Sequence, residues 1–599
     1  MTVTVKLEKA RLYIRFPFND LDLIKAKNMP DRRWNKTAKA WTCRPTLANI
    51  KYIEDNWSRA EWDDNAHEKR VEAYEGLAKR EATLAAKKGG DMDVALLDAV
   101  PFKFPPLDYQ KIALLLGRDE DAFAYLMDQG TGKTKVTIDD ACHNWREDRI
   151  DVVMVFTINS VKTNWVMFDC MKDEPEDVDA IENHMPPDVP YAKGVWVSQQ
   201  NAKIKKEWRG FEKSITEQVT KKDKLVWLAG NIESLRVARA FDFYERVIEA
   251  FQGRVMIVVD ESTLIGKPGS KQTKAAMKLR ALCAKARILS GTPVIKSPMK
   301  AFSQFGFLDE DILGFGSFYS FRNHFCVMGG YENKQILYYK NLDELNEKIA
   351  SCSYRVLKKD VLDLPPQEFL KRRVEMSPEQ MKAYKEMQAE FITSNEQSGV
   401  VEAKIVLEQM LRLQQITGGY LPKMDGDEVV GVVPLVKPEN NPKFKECINI
   451  LEEGGDQRAI FWTRFTHEVL DLCALLNEAG FPSMPFYGGL SDSEKISVRK
   501  SFQRDDKYRC VVGNPMAGGL GIDEFKVASL VGYVTNSYDT EKRVQSEDRN
   551  HRIGSEIHDK ITYWDIIIPG TVDIKILQVM RNNVKISNAV TGDDWREWV

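Results

Sequence analysis

The sequence predicts an α/β protein: two lobes each built on a parallel sheet, helical protrusions between them, and a small α+β domain at the N-terminus. Three observations lead there. Short apolar runs such as Ala122–Met127, Asp151–Phe156 and Val255–Val259 stop abruptly at polar, hydroxyl or acidic residues. That is the pattern of parallel strands buried on both faces with their chemistry at the carboxyl ends. The pattern returns in Arg458–Arg464 and Cys510–Asp523, so a second lobe follows the first. Between the two sets, Pro365–Lys443 reads as mostly helical, with Glu402–Gln415 a clear amphipathic run. The 599 residues then divide into a module (1–62), a helical connector (63–104), a first lobe (105–340), a protrusion region (341–440) and a second lobe (441–599).

Composition excludes some classes of protein. Hydrophobic content of 43% is ordinary for a globular chain. No apolar run approaches the length of a membrane span, and the first residues, MTVTVKLEKARLYIRF, lack a basic-then-apolar signal. Nine scattered cysteines form no CxxC pair, which suits a reducing cytoplasmic compartment. The net charge of −3 decides little about nucleic acid, because a near-neutral chain can carry a local basic groove.

The module is where basic charge gathers: residues 1–62 hold 13 Lys/Arg against 7 Asp/Glu, a balance of +6. Lys6–Phe18 alternates like a hairpin, Asn19–Asn28 is a short helix, and Trp34 and Trp41 flank the turn NKTAKA. Basic residues beside aromatics suit phosphates and exposed bases, yet so small a domain needs large apolar side chains for its core. The tryptophans are therefore read as core, and Arg32 and Arg33 as the nucleic-acid contacts. Asp63–Pro106 is a charged, helical connector ending in a loop.

The first chemical stretch is Met127–Thr134, MDQGTGKT, between the strand Ala122–Met127 and a helix over Lys135–Cys142. Strand, glycine loop, Gly-Lys-Thr and helix describe a phosphate-binding loop. Gly130 and Gly132 let backbone N–H groups, with that of Thr131, turn inward around phosphates. Lys133 would reach the β and γ phosphates, and the Thr134 hydroxyl would ligate Mg²⁺. Met127 stands where the strict pattern wants glycine. The plain alternative is a turn that only connects a strand to a helix.

Further strand ends carry the remaining candidates. Thr157, Asn159 and Ser160 close one strand, and Asn231 closes Leu225–Arg236, both suited to hydrogen-bonding a nucleic-acid backbone. The basic run Lys203–Lys224 is read as a solvated helix face. VMIVVDES (Val255–Ser262) places two acids at a sheet edge: Asp260 to hold Mg²⁺ through water, Glu261 to deprotonate the attacking water. RILSGTP follows, with Ser290 and Thr292 placed to couple nucleotide state to the nucleic-acid path. In the second lobe, Thr463, Arg464 and the loop glycine Gly518 are the nucleic-acid candidates. In TEKRVQSEDRNHRIG, a helical Gln545–Arg552 would put Gln545, Arg549 and Arg552 on one face. The two arginines would then stabilise charge developing during phosphoryl transfer. Taken alone, that stretch would read as a salt-bridged surface helix.

In order, DQGTGKT, TINSVKTNW, NIESLR, VVDES, LSGTP, LRLQQITGGY, FWTRF, FYGG, AGGLGID and QSEDRNHRIG resemble the Swi/Snf-related branch of the superfamily-two helicases across residues 105–580. Two positions depart from that family's pattern: DEST lacks its usual histidine, and Asp523 replaces a common asparagine. The resemblance implies two RecA-like lobes, ATP hydrolysis at their interface with Mg²⁺, and translocation on duplex DNA without necessary strand separation. It also makes Gln110, in FPPLDYQ ahead of the loop, the adenine contact. Residues 16–41 resemble the HARP module of annealing helicases, which implies binding of branched or forked DNA.

The leading expectation is thus a monomeric, DNA-dependent ATPase that remodels, anneals or branch-migrates duplex or forked DNA, RNA not being excluded. A second is a motor subunit that drives DNA for a separate protein partner such as a nuclease. A third, outside enzymology, is a nucleotide-gated clamp that does not turn over; Glu261, Arg549 and Arg552 argue against it.

Overall fold

A computed structural model of the chain describes residues 2–591, apart from 90–91, 160, 173–176, 199, 295–296, 331–334, 399–402, 426–427, 516 and 518–523. Two compact units emerge, one running from the N-terminus to Leu357, the other from Lys358 to Lys585.

The first unit begins with a five-stranded sheet: β1 (Thr4–Glu8), β2 (Arg11–Arg15), β3 (Arg33–Asn35), β4 (Ala40–Cys43) and β5 (Glu61–Trp62), in the order β3-β4-β2-β1-β5. Alternation in β1 and β2 sends Val5, Leu12 and Ile14 inward against Ile50, Ile53 and Trp57. The helix Asp20–Asn28 starts where Asn19 Oδ1 accepts the Asp22 N–H at 2.8 Å, a side-chain cap. The tryptophans singled out above are not the centre of this core. Trp41 packs partly buried at its margin, while Trp34 is 49% exposed and leans on Trp41 with ring centroids 5.4 Å apart. A three-residue edge strand has no helix over its end, so its aromatic stays half in water.

The helix Asp64–Gly89 leads from this module into the lobe. Contacts of opposite charge and of capped backbone hold the two together. Arg80 pairs with Asp309 at 3.1 Å, Arg44 pairs with Glu310, and Asp311 accepts the Leu47 N–H at 2.6 Å. Burial, reinforced by Asp309, pushes the Asp311 carboxyl up to about 7.

The lobe's main sheet contains β6 (Ala122–Met127), β7 (Val152–Thr157), β8 (Tyr191–Val195), β9 (Leu225–Asn231), β10 (Val255–Asp260) and β11 (Lys285–Leu289). A hairpin of β12 (Cys326–Gly329) and β13 (Gln335–Tyr339) stands apart, and β14 (Ser353–Val356) returns to the sheet. The order is β14-β6-β11-β10-β7-β9-β8, and every pairing is parallel. All the strands therefore end on one edge. β7 and β10 are buried along their whole length, which fits their unbroken apolar runs. The first lobe extends past 340, because β14 pairs with β6 as far as Val356↔Met127.

The second unit has its own parallel sheet, ordered β15-β22-β21-β18-β20-β19. Its strands are β15 (Gln367–Arg373), β18 (Ala459–Trp462), β19 (Ser483–Phe486), β20 (Cys510–Gly513), β21 (Leu530–Tyr533) and β22 (Ile561–Ile567); β16 (Tyr420–Asp425) and β17 (Glu428–Pro434) form a separate antiparallel hairpin. Pro365–Lys443 is thus less helical than its composition suggests. It holds the helices Pro378–Ser398 and Ala403–Gly418, but β15 joins the sheet through β22 and the hairpin follows. The alternation Gln367–Arg373 is polar on an edge strand, which hides its period among charges.

Candidate nucleotide site and the strand ends around it

β6 delivers the glycine loop. Gly130 and Gly132 take φ of +85° and +87°, the left-handed region that a side chain resists. A Cβ on Gly132 would also meet Gln110 Nε2 at 2.2 Å. The helix that follows spans Lys133–Arg146, longer at both ends than the sequence pattern suggested. Thr131 is fully buried, its hydroxyl donating to Asp128 O at 2.7 Å. The buried Lys133 ammonium donates to Met127 O at 2.8 Å and Asp128 O at 3.2 Å, and so sits inside the loop's mouth. Gln110, in the first turn of the helix Asp108–Gly117, donates to Thr131 O at 3.1 Å and accepts the Leu107 N–H at 3.0 Å. The structure thus brings Gln110 against the loop.

β10, two strands from β6, ends at Asp260. Its carboxylate accepts the indole N–H of Trp165 at 2.9 Å, and burial pushes it up against the opposing pull of that N–H and of Lys133. Glu261 follows with φ +57° and ψ +65°. A non-glycine residue held there stores strain, a feature that clusters at functional sites. Ser262 donates to Gln304 Oε1 at 2.6 Å, and Gln304 Nε2 donates to Pro293 O at 2.7 Å. The acidic stretch is so tied to Ser290–Pro293, where Ser290 Oγ accepts the Thr292 N–H at 3.0 Å. Among the described residues no group of three or more His, Cys, Asp or Glu is placed to hold a metal ion by itself. One carboxylate and one hydroxyl, Asp260 and Thr134, are hard oxygen donors of the kind Mg²⁺ accepts alongside phosphate oxygens.

Two positioning elements gave no readable signal in the sequence. Arg355, on β14, donates to Leu126 O at 3.2 Å and Gly291 O at 3.0 Å and pairs with Asp128 at 3.0 Å. It joins the strand before the glycine loop, the loop's first polar residue and the Ser-Gly-Thr-Pro turn. Beneath them, Arg287 on β11 and Asp140 on the loop's helix form a wholly buried ion pair at 2.6 Å. A lone arginine in a strand reads as exposed until its partners, 147 residues away in this case, are known.

The nucleic-acid candidates fare unevenly. Asn159 is exposed, as are Arg32 and Arg33, and Asn231 is half-buried, its amide donating to Glu233 at 3.2 Å. Thr157 and Thr463 are fully buried, so neither presents a hydroxyl at the surface. Thr157 ends β7 beside β10, where its side chain faces Asp260, and Thr463 turns its hydroxyl back to Phe465 O at 3.2 Å. Arg464 is half-buried, with its guanidinium on Gln414. Ser160 and Gly518 lie outside the described residues.

In the second unit the helix is Thr540–Glu547, and Arg549 and Arg552 lie in the turns beyond it. They do not share a helical face with Gln545. Tertiary contacts end the helix: the Asn550 amide donates to Phe525 O at 2.8 Å and Ala528 O at 3.1 Å, and Lys358 donates to His551 O at 2.9 Å. Gln545 is buried and accepts from Lys542 at 3.2 Å. Arg549 is 4% exposed, lies over the Trp462 ring at 5.2 Å and donates to Pro515 O at 3.0 Å. Burial lowers it to about 10, still fully charged at neutral pH.

Residues 204–418 match the SNF2-related domain, and residues 442–554 match the helicase conserved C-terminal domain. The CHD3-type chromatin-remodeling factor CHR7 of Arabidopsis thaliana is 23% identical over 51% of this chain and 24% of its own length. The SWI/SNF-related matrix-associated actin-dependent regulator of chromatin subfamily A-like protein 1 of Xenopus tropicalis is 24% identical over 55% of this chain and 33% of its own. Mouse DNA annealing helicase and endonuclease ZRANB3 is 23% identical over 57% and 31%. The chain therefore spans between about a quarter and a third of the length of these relatives. Among solved structures, the Sulfolobus solfataricus SWI2/SNF2 ATPase core in complex with dsDNA aligns over 83% of this chain and 95% of its own, at 21% identity and a TM-score of 0.35. The chain thus carries an SNF2-related domain followed by a helicase conserved C-terminal domain.

Proposed function

We propose that this chain is a DNA-dependent ATPase that uses hydrolysis to translocate on duplex or forked DNA. One observation carries the reading. The glycine loop after β6, the Asp260–Glu261 pair after β10 and the exposed Asn159 after β7 all lie along one edge of one parallel sheet. Phosphate grip, hydrolytic carboxylates and a surface for another ligand are thereby parts of a single rigid scaffold. In this reading Gly130, Thr131 and Gly132 turn their N–H groups to the phosphates, and Lys133 exchanges its loop carbonyls for phosphate oxygens. Gln110 reads the adenine. Mg²⁺, when bound by Thr134 and Asp260, neutralises phosphate charge, and Glu261 orients and deprotonates water. In the second unit Gln545, Arg549 and Arg552 are the candidates for ATP hydrolysis, the arginines as turn-borne cations and not as one helical face.

The N-terminal module extends the grip toward branched DNA in this reading. Arg32 and Arg33 are exposed beside the half-exposed Trp34, a basic and aromatic surface of the type that single strands favour. The similarity to DNA annealing helicase and endonuclease ZRANB3 supports an annealing role. The deciding experiment is ATPase rate with no nucleic acid and with single-stranded, duplex, forked and four-way DNA and duplex RNA. Stimulation greatest with forked or four-way DNA is the expected result. A rate indifferent to all of them refutes the reading.

A further inference from the structure

We infer that Trp165 is a positioning residue that passes the binding of nucleic acid, at the loop after β7, to Asp260, the carboxylate assigned to Mg²⁺. The inference rests on the DNA-dependent reading above and adds the path of coupling to it.

The indole of Trp165 is 1% exposed, so it offers no face for a base to stack on. Its N–H donates to Asp260 Oδ2 at 2.9 Å, across 95 residues of sequence. A buried indole N–H needs an acceptor, and the one it takes is the carboxylate assigned to Mg²⁺ and not a backbone carbonyl. The backbone of Asp260 is fixed by pairing with Leu289 on β11. What remains adjustable is the rotation of the carboxylate about its side-chain bonds, and the indole N–H restrains it. Hydrogen bonds to a charged acceptor are the stronger kind.

The other end of the path is at the surface. Trp165 closes a single helical turn, Lys162–Trp165, which begins three residues after the exposed Asn159. That turn is stiff within itself: Val161 and Lys162 both donate their N–H to Ile158 O, at 3.0 and 3.2 Å, and Val166 donates to Lys162 O at 3.1 Å. Its buried Lys162 ammonium donates to Trp196 O at 3.1 Å, which supplies a pivot on the neighbouring chain. A contact that displaces Asn159 therefore moves the turn as a body and carries the indole with it. Since the indole restrains Asp260, the carboxylate turns too. Coupling runs both ways by thermodynamic necessity, so the metal-bound nucleotide must in turn alter affinity for nucleic acid.

The test uses the full chain and Trp165→Phe, which keeps the aromatic body and deletes the N–H. Three quantities are read: ATPase stimulation by forked DNA, the Mg²⁺ concentration for half-maximal binding of a fluorescent ADP analogue without DNA, and affinity for the fork. Loss of one charge-assisted hydrogen bond is expected to raise the Mg²⁺ midpoint and to cut the stimulation factor, each by about tenfold. Fork affinity measured without nucleotide should stay within about twofold, because Trp165 is buried and touches no surface. Equal stimulation and an equal Mg²⁺ midpoint in variant and wild type overturn the coupling alone. A wild-type rate unaffected by any nucleic acid overturns the DNA-dependent reading, and the coupling falls with it. Hydrogen exchange on the wild type needs no variant to fold: forked DNA should slow exchange in peptides covering 158–166 and also 255–262. Protection confined to the first segment overturns the inference.

Discussion

Replacing Asp140 by alanine probes how the glycine loop is held from below. Asp140 and Arg287 are both fully buried, and the guanidinium Nε donates to Oδ2 at 2.6 Å. The same carboxylate accepts the Tyr125 hydroxyl at 2.8 Å and the Asn144 amide at 2.8 Å. The other guanidinium N–H groups go to the carbonyls of Ala286, Gly117 and Glu120, at 2.8, 2.8 and 2.9 Å. Alanine removes the counter-charge and leaves the cation in place, held only by neutral carbonyls. Breaking one side of a buried pair costs about 3–5 kcal/mol. The Tyr125 hydroxyl also loses its acceptor, at about 1–3 kcal/mol if it finds no other, while the Asn144 amide keeps the backbone carbonyls of Arg118 and Asp140, both at 2.9 Å. Tyr125 has room to relax only slightly in a close-packed interior, so we expect a loss in the upper half of the first range. Asp140→Asn retains an oxygen acceptor and the side chain's volume, and should lose about half as much. Urea unfolding followed through hydrogen exchange of peptides from β6 and β11 isolates the transition of the first unit. A loss below about 1 kcal/mol for the alanine variant, or an asparagine variant as damaged as the alanine one, refutes this account of the pair.

Lys133→Ala and Glu261→Gln should each abolish ATP turnover while leaving DNA binding measurable, and normal turnover in either removes the site assignment. Gly132→Ala forces a side chain into φ +87° against Gln110, and should weaken binding of a non-hydrolysable ATP analogue by about tenfold; an unchanged affinity in a direct titration contradicts it. Arg355→Met releases Asp128 and the Gly291 carbonyl, so KM for ATP should rise, with Arg355→Lys recovering part through its single charge; an unchanged KM sinks the proposed role. In the second unit, burial pushes Glu468 up to about 7 although Thr535 donates to both its oxygens, at 2.8 Å. Because its folded value lies above the ordinary glutamate range, the stability it contributes is complete at acid pH below about 4.3 and is lost as pH rises through 7, at roughly 1.4 kcal/mol per unit of displacement. Glu468→Gln should flatten that decline between pH 5 and 8, and parallel melting curves for the two proteins would falsify the assignment.

Much of this architecture is written locally. Glycine at 130 and 132 is needed because the turn demands positive φ, and an apolar run ending in two acids forms a strand whose chemistry lies at its end. Asn19 before a helix and Ser491 before Asp492–Arg504 mark their own starts, because a capping side chain acts within three residues. Such features need only neighbours along the chain, so the sequence alone determines them. The same is true of the ten ordered stretches, whose order does not depend on how they pack.

What the sequence could not supply was the partner of each buried polar group. Thr157 and Asn159 are two residues apart and look alike on paper. Only the pairing of β7 with β10 turns the first inward beside Asp260 and leaves the second in water. The helix carrying Gln545 would have run on through Arg552 by periodicity, yet hydrogen bonds from Asn550 to residues 525 and 528 end it. Arg287, Arg355 and Trp165 each complete their role with an atom 95 or more residues distant, or across a strand boundary that alternation does not reveal. The physical reason is the cost of burying a donor, an acceptor or a charge without a partner. Local sequence states that such groups exist, and only the tertiary structure decides which of them meet.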